Sequence, residues 1–135
     1  VPGKVSPRAA CTLVRRPSDG HILAITRGED VRDWGLPGGR AERFERFADT
    51  AARELTEETG VRISRGSRLV PVWIRETDGS QTAIFEVDGS VIIPSKLESN
   101  PFEGYVDWLP PEEMCRPTCT FGAFQHELFR RLGIL

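Results

Sequence analysis

The sequence predicts an α+β fold, a mixed β-sheet sandwiched between α-helices with one helix on each face. Three observations carry this. Short apolar runs bounded by Gly, Pro and Asp turn signals recur along most of the chain. Only two stretches, residues 46–59 and 121–132, show helical periodicity. A length of 135 residues fits one domain, residues 1–135, around one core, so strands and helices must share it.

Ala9 to Val14 is an apolar run after Pro7 and reads as a buried strand. Pro17-Ser18-Asp19-Gly20 reads as a turn, with Ile22 to Ile25 as the returning strand. The charge and glycine between Gly28 and Gly39 read as a loop. Residues 46–59 read as a helix, with Ala48, Ala51, Ala52 and Leu55 on one face and Gly60 as its C-terminal cap. Leu69 to Ile74 is the next strand. Asp78-Gly79 turns it into Thr82 to Val87, and Asp88-Gly89 turns again into Val91 to Ile93. Val106 to Leu109 is a short strand and Pro111 to Met114 a single helical turn. Phe121 to Leu132 closes as a helix with Phe121, Phe124, Leu128 and Leu132 on one side.

Composition narrows the function classes. Lys and Arg total 18 against 20 Asp and Glu, a formal net charge of −2. No general nucleic-acid or membrane surface is expected, and a small anionic substrate needs placed arginines or a metal. No apolar run approaches the roughly 18 residues of a membrane span. The opening Val1-Pro2-Gly3-Lys4 carries no apolar secretory core, so a cytoplasmic location is expected. Cys11, Cys115 and Cys119 suit a reducing compartment better than a disulfide framework. Cys115 and Cys119, with His126, lack the fourth ligand and tight pairing of structural zinc sites, so free, partly buried thiols are expected. Monomer and homodimer both stay open.

The first helix carries an arrangement that costs stability. At roughly 100° per residue, Glu57 lies about −60° and Glu58 about +40° from Glu54, so three carboxylates share one narrow face. Like charges at these spacings cost roughly 0.2–0.5 kcal/mol per pair. They sit in the last turn, where the helix dipole disfavours negative charge by roughly another 0.3–1 kcal/mol each. A hard divalent cation on that face would account for them, and a solvated acidic patch would also. The preceding Trp34-Gly35-Leu36-Pro37-Gly38-Gly39 combines an aromatic anchor, a stiff Pro and paired glycines. Alone it reads as a turn. Beside a carboxylate helix, a loop that brings main-chain carbonyls close reads as part of a metal–phosphate site.

The two pieces join into one signature: Gly39, five residues, Glu45, seven residues, Arg53-Glu54-Leu55, one residue, Glu57-Glu58, one residue, Gly60-Val61. Residues 34–61 closely resemble the Nudix box and its usual approach, and the element order outside them resembles small MutT-like members. The resemblance implies a mixed sheet between helices, and hydrolysis of a nucleoside diphosphate linked to another moiety with Mg²⁺ or Mn²⁺. By position it implies that Glu57, Glu58 and the Gly38 carbonyl bind metal, and that Glu54 is a ligand or the general base. It further implies that Glu45 pairs with Arg53 to brace the loop, and that Glu103 is an extra acidic ligand before Trp108. One position departs. Phe44 stands where many members have Gly, so the loop is expected to bend differently, or Phe44 to join the substrate pocket or core.

Substrate signals are softer. Arg27 is a candidate for a phosphate and Phe85 or Trp73 for stacking on a base, against surface and core readings respectively. His126 is an alternative base or an ordinary helix residue. MutT proteins that read oxidised guanine carry an Asn just before the last helix; Cys119-Thr120-Phe121-Gly122 has none, which argues against guanine-specific sanitation. The Pro of ADP-ribose members and the Tyr of dinucleoside polyphosphate members are likewise missing, with Thr77 and Asp78 in that region. The leading reading is a Mg²⁺-dependent pyrophosphohydrolase of nucleoside triphosphates or related nucleotides. The alternatives are a Nudix-fold sensor without turnover, a hydrolase of ADP-ribose, nucleotide sugars or dinucleoside polyphosphates, and a simple cation-binding module.

Overall fold

A computed structural model describes residues 7–98 and 104–135. The elements run β1 (Arg8–Leu13), β2 (Ile22–Arg27), β3 (Asp30–Gly35), β4 (Gly38–Arg40), α1 (Phe47–Thr59), β5 (Arg62–Ile63), β6 (Arg68–Thr77) and β7 (Ser80–Asp88). They continue with β8 (Val91–Ile92), β9 (Val106–Leu109), a 3₁₀ turn at Pro111–Cys115, and α2 (Gly122–Arg131).

A four-stranded sheet has the order β4-β1-β7-β6, and it is mixed because β1 runs parallel to β7 and antiparallel to β4. A three-stranded antiparallel sheet has the order β3-β2-β9. The two meet where β1 runs into β2, with Leu23 N donating to the Val14 carbonyl. The two-residue alternation of β1 sends its side chains to both faces. Cys11 and Leu13 join Leu128 and Phe129 of α2. Ala10 packs with Ala51 and Val14 with Leu55, both on α1. The sheet therefore lies between the two helices, as the sequence predicts.

Three readings are corrected by the structure. Residues 28–39 hold two strands, β3 and β4, where the sequence reads as loop. Gly28, at φ +60°, turns the chain back from β2, and β3 is an edge strand with Asp30, Val31 and Arg32 exposed. Charged edge strands carry no buried alternation to read. Val91–Ile92 pairs with β5, a two-residue strand absent from the sequence reading, and not with β7. In α2 the buried residues are Gly122, Gln125, Leu128 and Phe129, while Phe121 is exposed. No helix among the described residues is long and apolar enough to cross a membrane.

Candidate active site

Helix α1 is fixed by burial before its polar face acquires any role. Ala51 and Leu55 are fully buried, and the Thr12 hydroxyl donates to the Ala51 carbonyl. Gly60 ends the helix at φ +81°, its N–H donating to the Thr56 carbonyl. With those residues facing the sheet, Arg53, Glu54, Glu57 and Glu58 are turned towards β4 and the loop before the helix.

Arg53 is the hub of that loop. Its Nε and Nη2 donate to the two oxygens of Glu45 at 2.9 and 3.0 Å, a two-pronged pair. Nη1 donates to Glu54 at 2.9 Å and Glu57 at 3.2 Å, and Nη2 also reaches the Arg40 carbonyl at 3.2 Å. Glu45 accepts further bonds from the Glu42 N–H and the Thr50 hydroxyl. Its carboxyl is held down to about 2 by the Arg53 hydrogen bonds first, then by the Glu42 and Thr50 donors. The same pairing raises Arg53. A depressed carboxyl stabilises the fold fully above its unfolded value near 4.5, and that contribution drains away as pH falls towards 2. Acid unfolding should therefore steepen across that window in the native chain. Glu45→Gln should flatten the slope, which chemical denaturation at a series of pH values would measure; an unchanged slope would remove Glu45 as its source.

Gly38 and Gly39 bring the backbone against these carboxylates. Thr12 N donates to the Pro37 carbonyl, which makes Cys11–Gly38 a pair not hydrogen-bonded across the strands. The Gly38 N–H and carbonyl therefore point away from β1. The N–H donates to Glu58 Oε1 at 2.7 Å. A Cβ on Gly38 would lie 2.5 Å from the Ala10 carbonyl oxygen, and one on Gly39 would lie 2.6 to 2.9 Å from the Glu54 carboxyl atoms. Only glycine lets β4 close on β1 and leaves Glu54 its place.

One guanidinium within 4 Å of Glu42, Glu45, Glu54 and Glu57, with Glu58 alongside, leaves the cluster rich in negative charge. Among the described residues no three acidic, His or Cys side chains already converge as a closed ligand set. Arg53 draws Glu54 and Glu57 to itself instead. The donor chemistry fits a hard divalent cation: carboxylate oxygens from one helix face and an outward-pointing glycine carbonyl, with negative charge in excess. Glu103, the further candidate ligand, lies outside the described residues.

Two adjoining clefts open beside this cluster. One, of about 240 Å³, is lined by Arg27, Asp33, Gly35, Gly38, Glu58 and Phe121. The other, of about 220 Å³, includes Leu36, Gly39, Arg75, Phe121, Phe124 and Gln125. Arg27 thus stands in the cleft that reaches Gly38 and Glu58, with its guanidinium 5.9 Å from the Phe121 ring centre. Phe85 does not reach either cleft, which corrects its reading as a substrate contact: it is 6% exposed, packed among Ala10, Ala51 and Ala83 under α1. Trp73 is stacked on Phe124 at 5.6 Å with Arg131 against its ring, and it lines neither cleft. His126 is exposed beside Glu127, Arg130 and Arg131, away from the box. Cys11 lines the second cleft as a neutral thiol, pushed up to about 12 by burial and then by the Glu58 charge. All three cysteines are free.

Phe44 resolves differently from either expectation. Among the described residues it is the only non-glycine with positive φ, at +65°. The loop keeps the bend a glycine would make, and Phe44 bears the strain, 88% exposed with Arg43 over its ring. A left-handed L-residue costs roughly 1–2 kcal/mol, partly offset by the greater freedom of glycine when unfolded. Phe44→Gly is accordingly expected to stabilise the fold by about 1 kcal/mol, read as a higher denaturant midpoint. A lower midpoint would mean that the Phe44 ring contributes more than its backbone costs.

The family model described as NUDIX domain matches residues 5–132. A "MutT-like protein" of Streptomyces ambofaciens is 36% identical over 97 residues, covering 71% of this chain and 59% of that protein. "Diphosphoinositol polyphosphate phosphohydrolase 2" of Rattus norvegicus is 26% identical over 106 residues, covering 78% of this chain and 59% of its own length. The chain thus spans about three fifths of these relatives. The solved MutT protein of Methanosarcina mazei Go1 superposes with a TM-score of 0.63 at 23% identity, covering 98% of this chain and 99% of that one, which is a likeness of fold. With the family model matching nearly its whole length, the chain belongs to the NUDIX domain family.

Proposed function

We propose that the chain is a single-domain, divalent-metal-dependent pyrophosphohydrolase acting in the cytoplasm on a nucleoside triphosphate or a related nucleotide. The observation that carries this reading is the placement of the box carboxylates and the Gly38–Gly39 backbone at the rim of clefts lined by Arg27, Phe121 and Phe124. Phosphate chemistry needs charge neutralised at one end of such a groove, and a base needs flat apolar surface at the other. Mg²⁺ or Mn²⁺, held by Glu57, Glu58 and the Gly38 carbonyl, would neutralise phosphate charge and acidify water. Arg27 binds and orients the phosphate chain. Glu54, packed onto Gly39, takes the proton from the attacking water. Arg53 and Glu45 hold the loop that places both. Nothing in this arrangement calls for nucleic acid or membrane as a partner.

The intact carboxylate set favours turnover over a binding-only sensor. The test is to incubate the protein with Mg²⁺ and a panel of nucleoside triphosphates, ADP-ribose, nucleotide sugars, dinucleoside polyphosphates and a diphosphoinositol polyphosphate. Nucleotide products, phosphate and pyrophosphate are then resolved. Cleavage of nucleoside triphosphates at a phosphoanhydride is the expected result. Cleavage of the diphosphoinositol compound alone would move the substrate class to that of the named relative, and cleavage of none would overturn the hydrolase reading.

A further inference from the structure

Resting on the nucleotide reading above, we infer that Gln125 reads the base, and that it does so as a hydrogen-bond acceptor selecting a base with an exocyclic amino group.

Gln125 is 1% exposed on α2, an unusual place for a primary amide in a helix otherwise packed with Leu128 and Phe129. Its Nε2 donates twice, to the Met114 carbonyl at 2.6 Å and the Trp34 carbonyl at 3.2 Å. Both amide hydrogens are thereby used on backbone oxygens. The amide cannot flip, because Oε1 would then face two carbonyls. Oε1 accepts no hydrogen bond among the described residues, yet no buried side-chain oxygen or nitrogen there lacks a partner. Oε1 is therefore open to the cleft that Gln125 lines with Phe121, Phe124 and Leu36.

The space in front of it is kept clear. A Cβ on Gly35 would stand 3.6 Å from both Oε1 and Phe121 Cδ2, so the missing side chain leaves a slot between a phenyl ring and a fixed acceptor. Aromatic surface beside an oriented acceptor is what an aminated base edge needs: the ring covers a face and the oxygen takes an N–H. With Nε2 spent on backbone, the amide has no hydrogen to offer a base carbonyl. An oxo group directed at Oε1 would set two acceptors against each other, and desolvated acceptors without donors are costly. At the edge position that faces Oε1 the discrimination runs one way, towards amino over oxo.

Calorimetric titration of three nucleotide pairs reads this without turnover: ATP against ITP, GTP against ITP, and CTP against UTP. GTP and ITP differ only by the 2-amino group, while ATP against ITP and CTP against UTP exchange an amino for an oxo group and add the neighbouring ring N–H. In at least one pair the amino-bearing member should bind roughly tenfold to a hundredfold more tightly. Gln125→Met should erase that ratio. Because this variant also strands the Met114 and Trp34 carbonyls, Gly35→Ala supplies a second reading. Its methyl makes only ordinary contacts, so the fold should stand, but it fills the slot and should bring the ratio within about threefold of unity. Equal affinity within every pair, preference for the member without the amino group, no binding at all, or a ratio that survives Gly35→Ala overturns the proposal. Discrimination in binding with no cleavage of any nucleotide would overturn the hydrolase reading and leave this one standing.

Discussion

Glu54→Gln is expected to lower kcat by roughly 10²–10⁴-fold, the usual loss for a general base. Gln keeps the shape and can still accept the Arg53 Nη1 hydrogen bond, so the loop should hold its geometry. What it cannot do is take a proton. The Glu54 carboxylate lies against Gly39 of β4, which borders the second cleft, and its side chain is 18% exposed against 54% for Glu57. A group that acts only in the transition state should leave KM near its native value while kcat falls. Extra Mg²⁺ should not restore the rate. Steady-state kinetics at saturating Mg²⁺ settles this. A Glu54→Gln enzyme with near-normal kcat would end the assignment, and Glu103 would become the leading candidate, since His126 lies away from the box. Gly39→Ala offers an independent check, because its Cβ would displace the Glu54 carboxyl group while leaving the charge intact. It should reproduce the fall in kcat.

The box residues were legible because their spacing is enforced by one helix. Once Ala51 and Leu55 are buried, helical geometry alone sets where Arg53, Glu54, Glu57 and Glu58 face. The Glu45–Arg53 pair came from the resemblance to the Nudix box, and the structure forms it at 2.9 Å. Legibility fails where partners come from distant segments. Gln125 carries no signal in sequence, since a polar residue in an amphipathic helix reads as exposed. Only the meeting of α2 with Trp34 and Met114 makes it a pinned amide. Asp33 is similar: it reads as loop charge, yet its carboxylate receives the Thr120 N–H and hydroxyl and ties β3 to the start of α2. Phe85 misled in the other direction, because strand parity does not say which helix covers which face. Phe44 shows that a sequence departure need not mean a backbone departure, since the loop imposed its φ on the wrong residue type.

Chelating divalent cations is expected to abolish turnover, and adding Mg²⁺ should raise the unfolding temperature by binding linkage. The reason lies in how α1 ends. Its last turn has no basic residue and holds Glu57 and Glu58 against the negative end of the helix dipole. Arg53 reaches Glu57 through a bond to a side chain 54% exposed, and it is already shared with Glu45 and Glu54. Exposed pairs of this kind contribute little. Metal-free protein therefore carries like-charge repulsion that a bound cation would relieve. Glu57→Gln should leave the metal-free protein at least as stable as the native chain, because it removes a charge the dipole disfavours. Glu58→Gln should keep β4 in place, since a Gln oxygen still accepts the Gly38 N–H. Both variants should bind Mg²⁺ more weakly, show a smaller rise in unfolding temperature, and recover part of their rate at high Mg²⁺, unlike Glu54→Gln. Titration calorimetry and thermal unfolding across a Mg²⁺ series separate the cases. No divalent binding with nucleotide present, or variants that bind Mg²⁺ as the native protein does, would falsify the metal assignment.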